Sequence, residues 1–201
     1  MGCGRLPSRE HAPTGELGIE ITPVLAAPSL ESKVAAQLDA LLRRTCQIAR
    51  ALTGAEQAAL KLWVGEDSSQ ARKYFSLSEK YAEFRDFRVD PKGIGLHGMT
   101  IPPGQVIRLT EGEVLSHPLY RGFGSLADAH PPMRGWLATS ICGDNGRVYG
   151  LLQLSDKSGG RDFEQSDETN IHELAALIGE TLDAVRLAAQ RTGASSEGGP
   201  S

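Results

Sequence analysis

Residues 133–154, MRGWLATSICGDNGRVYGLLQL, decide the fold, because they write out a β-hairpin within twenty-odd positions. The run from Trp136 to Cys142 is apolar and small. Asp144-Asn145-Gly146 follows, residue types that tolerate positive φ, so the turn is expected to place two central positions in the primed geometry that matches strand twist. On the return strand Val148, Gly150, Leu152 and Leu154 fall on one face and Tyr149, Leu151, Gln153 and Ser155 on the other, the period of two that marks a sheet. A hairpin is not stable alone, so the rest of the chain must cover it on at least one side.

Working outward, the flanks supply that cover. After Pro28, with Ser29 as cap, Val34, Leu38, Leu41, Ile48 and Leu52 keep helical spacing and form the expected core stripe of a first helix that Gly54 ends. Leu42, Cys46 and Ala49 make a second apolar row beside it. A last helix is expected after Phe163, capped by Ser166, with Asp167 and Glu168 in its first turn. Its buried stripe is Ile171, Leu174, Ile178, Leu182 and Val185, and Leu177 and Leu187 lie off that stripe. Between the helices, 56–64, 72–78 and 105–109 read as strands. Strands bracketed by terminal helices, rather than alternating with them, point to an α+β domain with an antiparallel sheet.

Composition bounds the function classes. The chain has 201 residues, 40% of them hydrophobic, enough for one sizeable core. We expect tails at 1–28 and 192–201, both rich in Gly, Pro and polar residues, around one domain at 29–191. A net charge of -4 and a pI near 5.8, with no basic run, argue against nucleic acid as a partner. No apolar leader and no long apolar run are present, so no membrane association and a cytoplasmic location are expected. The three cysteines, Cys3, Cys46 and Cys142, show neither disulfide-framework nor zinc spacing.

Taken together, the helix ending ARALTGAEQAAL, the strand opening RGWLATSI, the hairpin NGRVYGLLQLSD and the segment RDFEQSDETNIHELAALIGETLDAV resemble a GAF domain over roughly 30–190. The resemblance is strongest from Pro132 to Val185, where the glycine within the last strand and the D-F-x-x-x-D approach to the final helix both recur. It implies a six-stranded antiparallel sheet with terminal helices on one face and a small-molecule pocket on the other, used in sensing. The pocket would be roofed by 79–130, a stretch of about fifty residues with few regular signals, of the kind that carries recognition.

The ligand-binding residues expected on that basis are Leu96, His97, Leu115, His117, Tyr120 and Phe123 on the roof, with Met133, Arg134 and Trp136 at the rim. They make a mainly apolar wall with few polar groups. Arg134 is the expected anion contact. Other motifs reduce to simpler readings. Gly93 to Gly98 satisfies G-x-G-x-x-G, but Asp90-Pro91 precedes it and Ile101-Pro102-Pro103 follows, not the strand and helix that a dinucleotide loop requires. Ile171-His172-Glu173-Leu174 faintly resembles a phosphoacceptor box, yet His172 falls on a helix shoulder. None of the five histidines has ligand spacing, and no cysteine is followed by the histidine common in bilin-binding relatives.

One branch of the family reduces free methionine sulfoxide with cysteines gathered at the pocket. Here 65–135 contains no cysteine, so Cys46 and Cys142 read as small fillers and no catalytic residue is assigned. The expected function is a stand-alone sensory or regulatory module, of the kind found in two-component signalling, that binds an unidentified small molecule and acts on a signalling partner. The surplus apolar rows on the terminal helices imply a homodimer. The alternatives are a sulfoxide-reductase-like enzyme and a ligand-free dimerisation unit.

Overall fold

The computed structural model describes residues 30–64, 70–84, 96, 99–120 and 131–196. Helix α1 (Leu30–Thr53) leads into β1 (Ala55–Val64) and β2 (Gln70–Leu77). A 3-10 segment over Glu79–Phe84 follows, then β3 (Val106–Leu109), the short helix α2 (Glu111–Ser116), β4 (Trp136–Cys142), β5 (Val148–Lys157) and the long helix α3 (Gln165–Ser196). The sheet order is β2-β1-β5-β4-β3, and every neighbouring pair is antiparallel. Among the described residues the sheet has five strands, the number read from the residues; the sixth that the resemblance implied is not among them. The hairpin of 133–154 supplies the centre of the sheet through β5 and, beside it, β4.

The turn between those strands differs from the expected one. The Gly143 N–H donates to the Arg147 carbonyl at 2.9 Å and the Gly146 N–H to the Gly143 carbonyl at 3.0 Å, with positive φ at Gly146 alone. This is a three-residue loop with one left-handed position, not a two-residue primed turn. Asn145 spends its side chain on the Arg147 N–H, 3.0 Å away, which fixes the loop without requiring left-handed backbone at Asn145. A register shift between Ile141 and Cys142 then breaks the alternation of β5 at its start. Tyr149 is thereby turned to the helix side, where its hydroxyl donates to Asp183 of α3, and Val148 is left exposed.

One face of the sheet packs on the terminal helices. Leu60, Leu137, Ile141, Leu152, Leu154 and Phe163 meet Leu42, Cys46, Ala49, Ile171, Ala175 and Ile178 in a single core. The phase of α1 is the reverse of the sequence expectation. Leu42, Cys46 and Ala49 are buried and only Leu38 of the expected stripe packs against the core, while Val34, Leu41, Ile48 and Leu52 are exposed. The physical reason is closeness: the small Cys46 and Ala49 let the helix axis approach the sheet, which the longer residues would hold off. The same principle fixes α3. A Cβ on Gly179 would lie 1.8 Å from the Cys142 carbonyl oxygen, so that helix touches the backbone of β4. Leu177 and Leu187 are exposed, as their place off the stripe required.

The start of α3 is held by charge. Ser166 sits exposed in the first turn instead of capping it, and Asp167 accepts the Glu164 N–H at 2.7 Å. The other bond of Asp167 is to Lys157 Nζ, 2.5 Å away, both groups buried at the end of β5. Lys157 also faces Glu164 at 3.5 Å. The helix continues to Ser196, past the boundary expected at 191. Residues 1–28 and 197–201 of the expected tails lie outside the described residues, as does the expected cap Ser29.

Candidate functional site

The opposite face of the sheet is covered in two different ways. Over β3, β4 and β5 a second core forms, in which Leu96, Ile101, Val114 and Met133 pack on Trp136, Ala138 and Leu151, with Met99, Ile107, Leu109 and Tyr120 at its edge. Short polar links fasten this cover. Ser140 Oγ donates to the Pro102 carbonyl at 3.3 Å and Thr139 Oγ1 to that of Gln105 at 2.8 Å. A reciprocal cap between Thr110 and Glu113 starts α2, which is why so short a helix forms at all.

Over β1, β2 and the end of β5 the described residues leave a gap in the cover. A cavity of about 40 Å³ is floored by Gln57 and Ala59 of β1, Phe75 and Leu77 of β2, and Gln153 and Ser155 of β5, and walled by Met133 and Trp136. That volume admits a few water molecules, so a larger guest requires the roof to shift. Gln57 Nε2 donates to the Pro132 carbonyl at 2.7 Å, which ties the approach to β4 down onto β1. Trp136 Nε1 donates to Gln153 Oε1 at 3.4 Å across the strand pair. The wall is thus apolar with amide edges, a surface able to hold a small amphipathic molecule.

Two further groups bear on this face. Asp156, buried and at φ +56, accepts hydrogen bonds from the Tyr81 hydroxyl and from Lys80 Nζ at 3.1 Å, fastening the 3-10 segment to the end of β5. Its own N–H donates to the Arg134 carbonyl at 3.1 Å. Lys61 of β1 is buried as well, with its ammonium 4.1 Å from the Trp63 ring centroid. Burial depresses its pKa, and repulsion from Lys73 adds to the depression.

Of the expected site residues, Met133 and Trp136 line the cavity, and Leu96 and Tyr120 stand behind them in the roof core. Leu115 and Arg134 are exposed, and neither lines the cavity. His117 is half-buried, its Nδ1 accepting the Leu119 N–H at 3.2 Å. His97 and Phe123 lie outside the described residues, as does the glycine run 93–95 with Gly98. The residues the sequence reading missed are Gln57, Ala59, Phe75, Leu77, Gln153 and Ser155. Their signal was the outward register of β1, β2 and β5, available once the strands were paired.

The thiols of Cys46 and Cys142 are not in the lining of this cavity. Cys46 lies between α1 and the sheet, donates to the Tyr74 carbonyl at 3.6 Å, and burial pushes its pKa up to about 12, so it stays a protonated thiol at neutral pH. Cys142 is half-buried at the hairpin end, its Sγ donating to Ser140 Oγ at 3.2 Å. Among the described residues no group of three or more His, Cys, Asp or Glu side chains could hold a metal ion, and no helix is long and apolar enough to cross a membrane.

Compared with known proteins, residues 35–183 match the family model described as a GAF domain. Among solved structures, the blue-light absorbing form of the PixJ GAF domain from Thermosynechococcus elongatus is similar, with a TM-score of 0.63 at 16% identity, covering 87% of this chain and 100% of that one. The GAF domain of a phosphoenolpyruvate-protein phosphotransferase (ptsP) from Coxiella burnetii gives 0.58 at 18% identity, covering 82% and 89%. At such identities the likeness is one of fold.

Proposed function

The chain belongs to the GAF family, a family of small-molecule-binding sensory domains, and from that premise we propose that it binds a small molecule on the roof side of its sheet and reports occupancy through its terminal helices. The observation that carries this reading is the unequal cover that the described residues give that face: a second core over β3, β4 and β5, and a cavity over β1, β2 and the end of β5. Met133 and Trp136 belong to both halves, so a guest pressing on them moves the roof core. Leu96 and Tyr120 receive that displacement. His97, Leu115, His117, Phe123 and Arg134 are kept as proposed contacts for a guest larger than the cavity.

The reporting surface follows from the reversed phase of α1. With Leu42, Cys46 and Ala49 given to the core, Val34, Leu41 and Ile48 repeat every seven residues on the open side, joined by Leu52, while α3 beside it exposes Leu177 and Leu187. A sevenfold apolar repeat on a helix packs best against another helix. The proposed partner is a second copy of the chain, through which a signalling protein is addressed.

A thermal-shift screen of cyclic nucleotides, nitrogen oxyanions, amino acids and haem tests the reading, since a binder of the native state raises its midpoint by mass action. One class is expected to raise it, and Ala59→Leu, which fills the cavity floor, to abolish the rise. A panel without any response, or a response that Ala59→Leu leaves intact, contradicts the proposed site.

A further inference from the structure

We propose that Gln57 and Ser155 form a hydrogen-bonding edge in this ligand site, so that the ligand is an uncharged small molecule carrying a donor beside an acceptor, as a primary amide does, on a short apolar body. The inference rests on the ligand reading above and names the chemistry of the ligand.

Placement comes from strand register. Gln57 of β1 is paired with Leu77 of β2 on one side and with Ser155 of β5 on the other, and Ser155 in turn with Trp136 of β4. These four residues run as one row across the sheet, and all four line the cavity. Two residues along, Phe75, Ala59 and Gln153 make a second row of the lining, of which Phe75 and Ala59 are apolar. A guest that sets its polar end on Gln57 and Ser155 therefore lays its body toward Ala59 and Phe75. Directly opposed side chains on neighbouring strands start about 5 Å apart, close enough for two groups of one small molecule to reach both.

The polar groups of the first row are left with capacity to spare. Gln57 is 9% exposed and Ser155 8%. Gln57 spends its Nε2 on the Pro132 carbonyl at 2.7 Å, which orients the amide and leaves Oε1 an acceptor without a partner among the described residues. The Ser155 hydroxyl has none among them either. By contrast, the Thr139 and Ser140 hydroxyls of β4 each hold a carbonyl of the cover. Buried polar groups are as a rule hydrogen-bonded, so an acceptor and a hydroxyl side by side on a cavity wall mark a place where bonds are supplied from within the cavity. Water serves when the cavity holds no guest, and a guest that displaces it must reproduce both bonds or lose affinity. A primary amide reproduces them, its N–H donating to Gln57 Oε1 and its carbonyl accepting from the Ser155 hydroxyl. Among the described residues of the lining there is no Lys, Arg, His, Asp or Glu, so a charged head would be buried without a counter-charge.

The test uses the full chain with propionamide and two isosteres: butanone, which keeps the carbonyl and lacks the N–H, and sodium propionate, which carries a charge. Ionic strength is held constant with sodium chloride, and binding is read from the shift of the Trp136 indole N–H in heteronuclear NMR. Propionamide is expected to bind about fivefold more tightly than butanone, the worth of one hydrogen bond, and propionate more weakly than either. Ser155→Ala, which removes a hydroxyl that holds nothing else, should weaken propionamide and butanone alike by about fivefold without lowering the denaturation midpoint. Gln57→Met should erase the difference between the two with unchanged circular dichroism; because it also frees the Pro132 carbonyl, the ratio of the two affinities is the readout. Equal binding of propionamide and butanone, both blocked by Ala59→Leu, would overturn the hydrogen-bonding edge and leave the pocket reading standing. Tighter binding of propionate, a propionamide affinity that Ser155→Ala leaves intact, or no binding of any of the three overturns the inference as well. Binding that Ala59→Leu does not reduce contradicts the pocket itself.

Discussion

The two faces of the sheet solve the same covering problem with opposite tolerances. On the helix side the buried charges Lys157, Asp167 and Asp183 each have a partner, and small residues bring backbones into contact. On the roof side a lysine is buried against a tryptophan, a carboxylate sits at left-handed φ, and a cavity is lined over β1, β2 and the end of β5. The contrast teaches where this molecule can change. A face sealed by helix-to-strand backbone contact has one arrangement, whereas a face covered by loop residues and two short helical turns has room for a second.

The comparison can be broken most severely at the closest contact. Gly179→Ala places a methyl 1.8 Å from the Cys142 carbonyl oxygen, and its equivalent on the sheet, Gly150→Ala, lies 1.9 Å from that of Lys61. Either is expected to cost more than about 4 kcal/mol, seen as loss of the cooperative urea transition. Next in size is Asp167→Ala, which leaves Lys157 buried and unpaired; about 3–5 kcal/mol should be lost. The double variant Lys157→Met, Asp167→Leu should recover most of it, because no orphan charge remains. Both are read from the shift of the denaturation midpoint.

A smaller pair of substitutions sharpens the boundary of the helix-side core. Leu42→Ala is expected to cost about 2–5 kcal/mol and Leu41→Ala under about 1, although the two leucines are neighbours in sequence. Equal costs would mean that α1 faces the sheet with another stripe.

That pair also marks how far the sequence could be read. The hairpin, the antiparallel order and the terminal helices were legible because period-two and period-3.6 patterns are strong in 136–157 and 165–185. The rotation of α1 was not. Val34, Leu41 and Ile48 outrank Cys46 and Ala49 in hydrophobicity, and only the tertiary need for a close helix decides for the smaller row. The turn at 144–146 was legible as a turn, but its type depended on Asn145 bonding forward to Arg147. Of the site, Met133 and Trp136 could be named from their place at the head of β4. Gln57 and Ser155 stood in plain view as polar residues of strand-like runs, and it took the pairing of β1 with β5 to show that they share a face.

On the roof side the expected effects are smallest and of opposite sign. Lys61 holds its proton less tightly folded than unfolded, so the folded state is penalised at neutral pH and the penalty fades as pH rises through the lowered pKa toward the ordinary lysine value of 10.5. Lys61→Met should therefore raise the thermal midpoint slightly at pH 7. The gain over wild type should shrink between the lowered pKa and 10.5. Taking the difference between the two proteins cancels Tyr74, Tyr81 and Tyr149, whose raised pKa values act in the contrary direction. For the proposed seam, Leu41→Glu with Leu177→Glu should convert a dimer to a monomer in sedimentation equilibrium with the denaturation midpoint little changed, since both side chains are exposed in one chain.

The most direct test of an exchangeable roof face against a fixed helix face is a heteronuclear NMR titration with the strongest binder from the thermal screen. The account predicts that the Trp136 indole N–H and the Met133 methyl move first and saturate together, while the methyls of Leu42 and Ile171 keep their positions. A binder that shifts the helix-side methyls and leaves Trp136 and Met133 unmoved would contradict it.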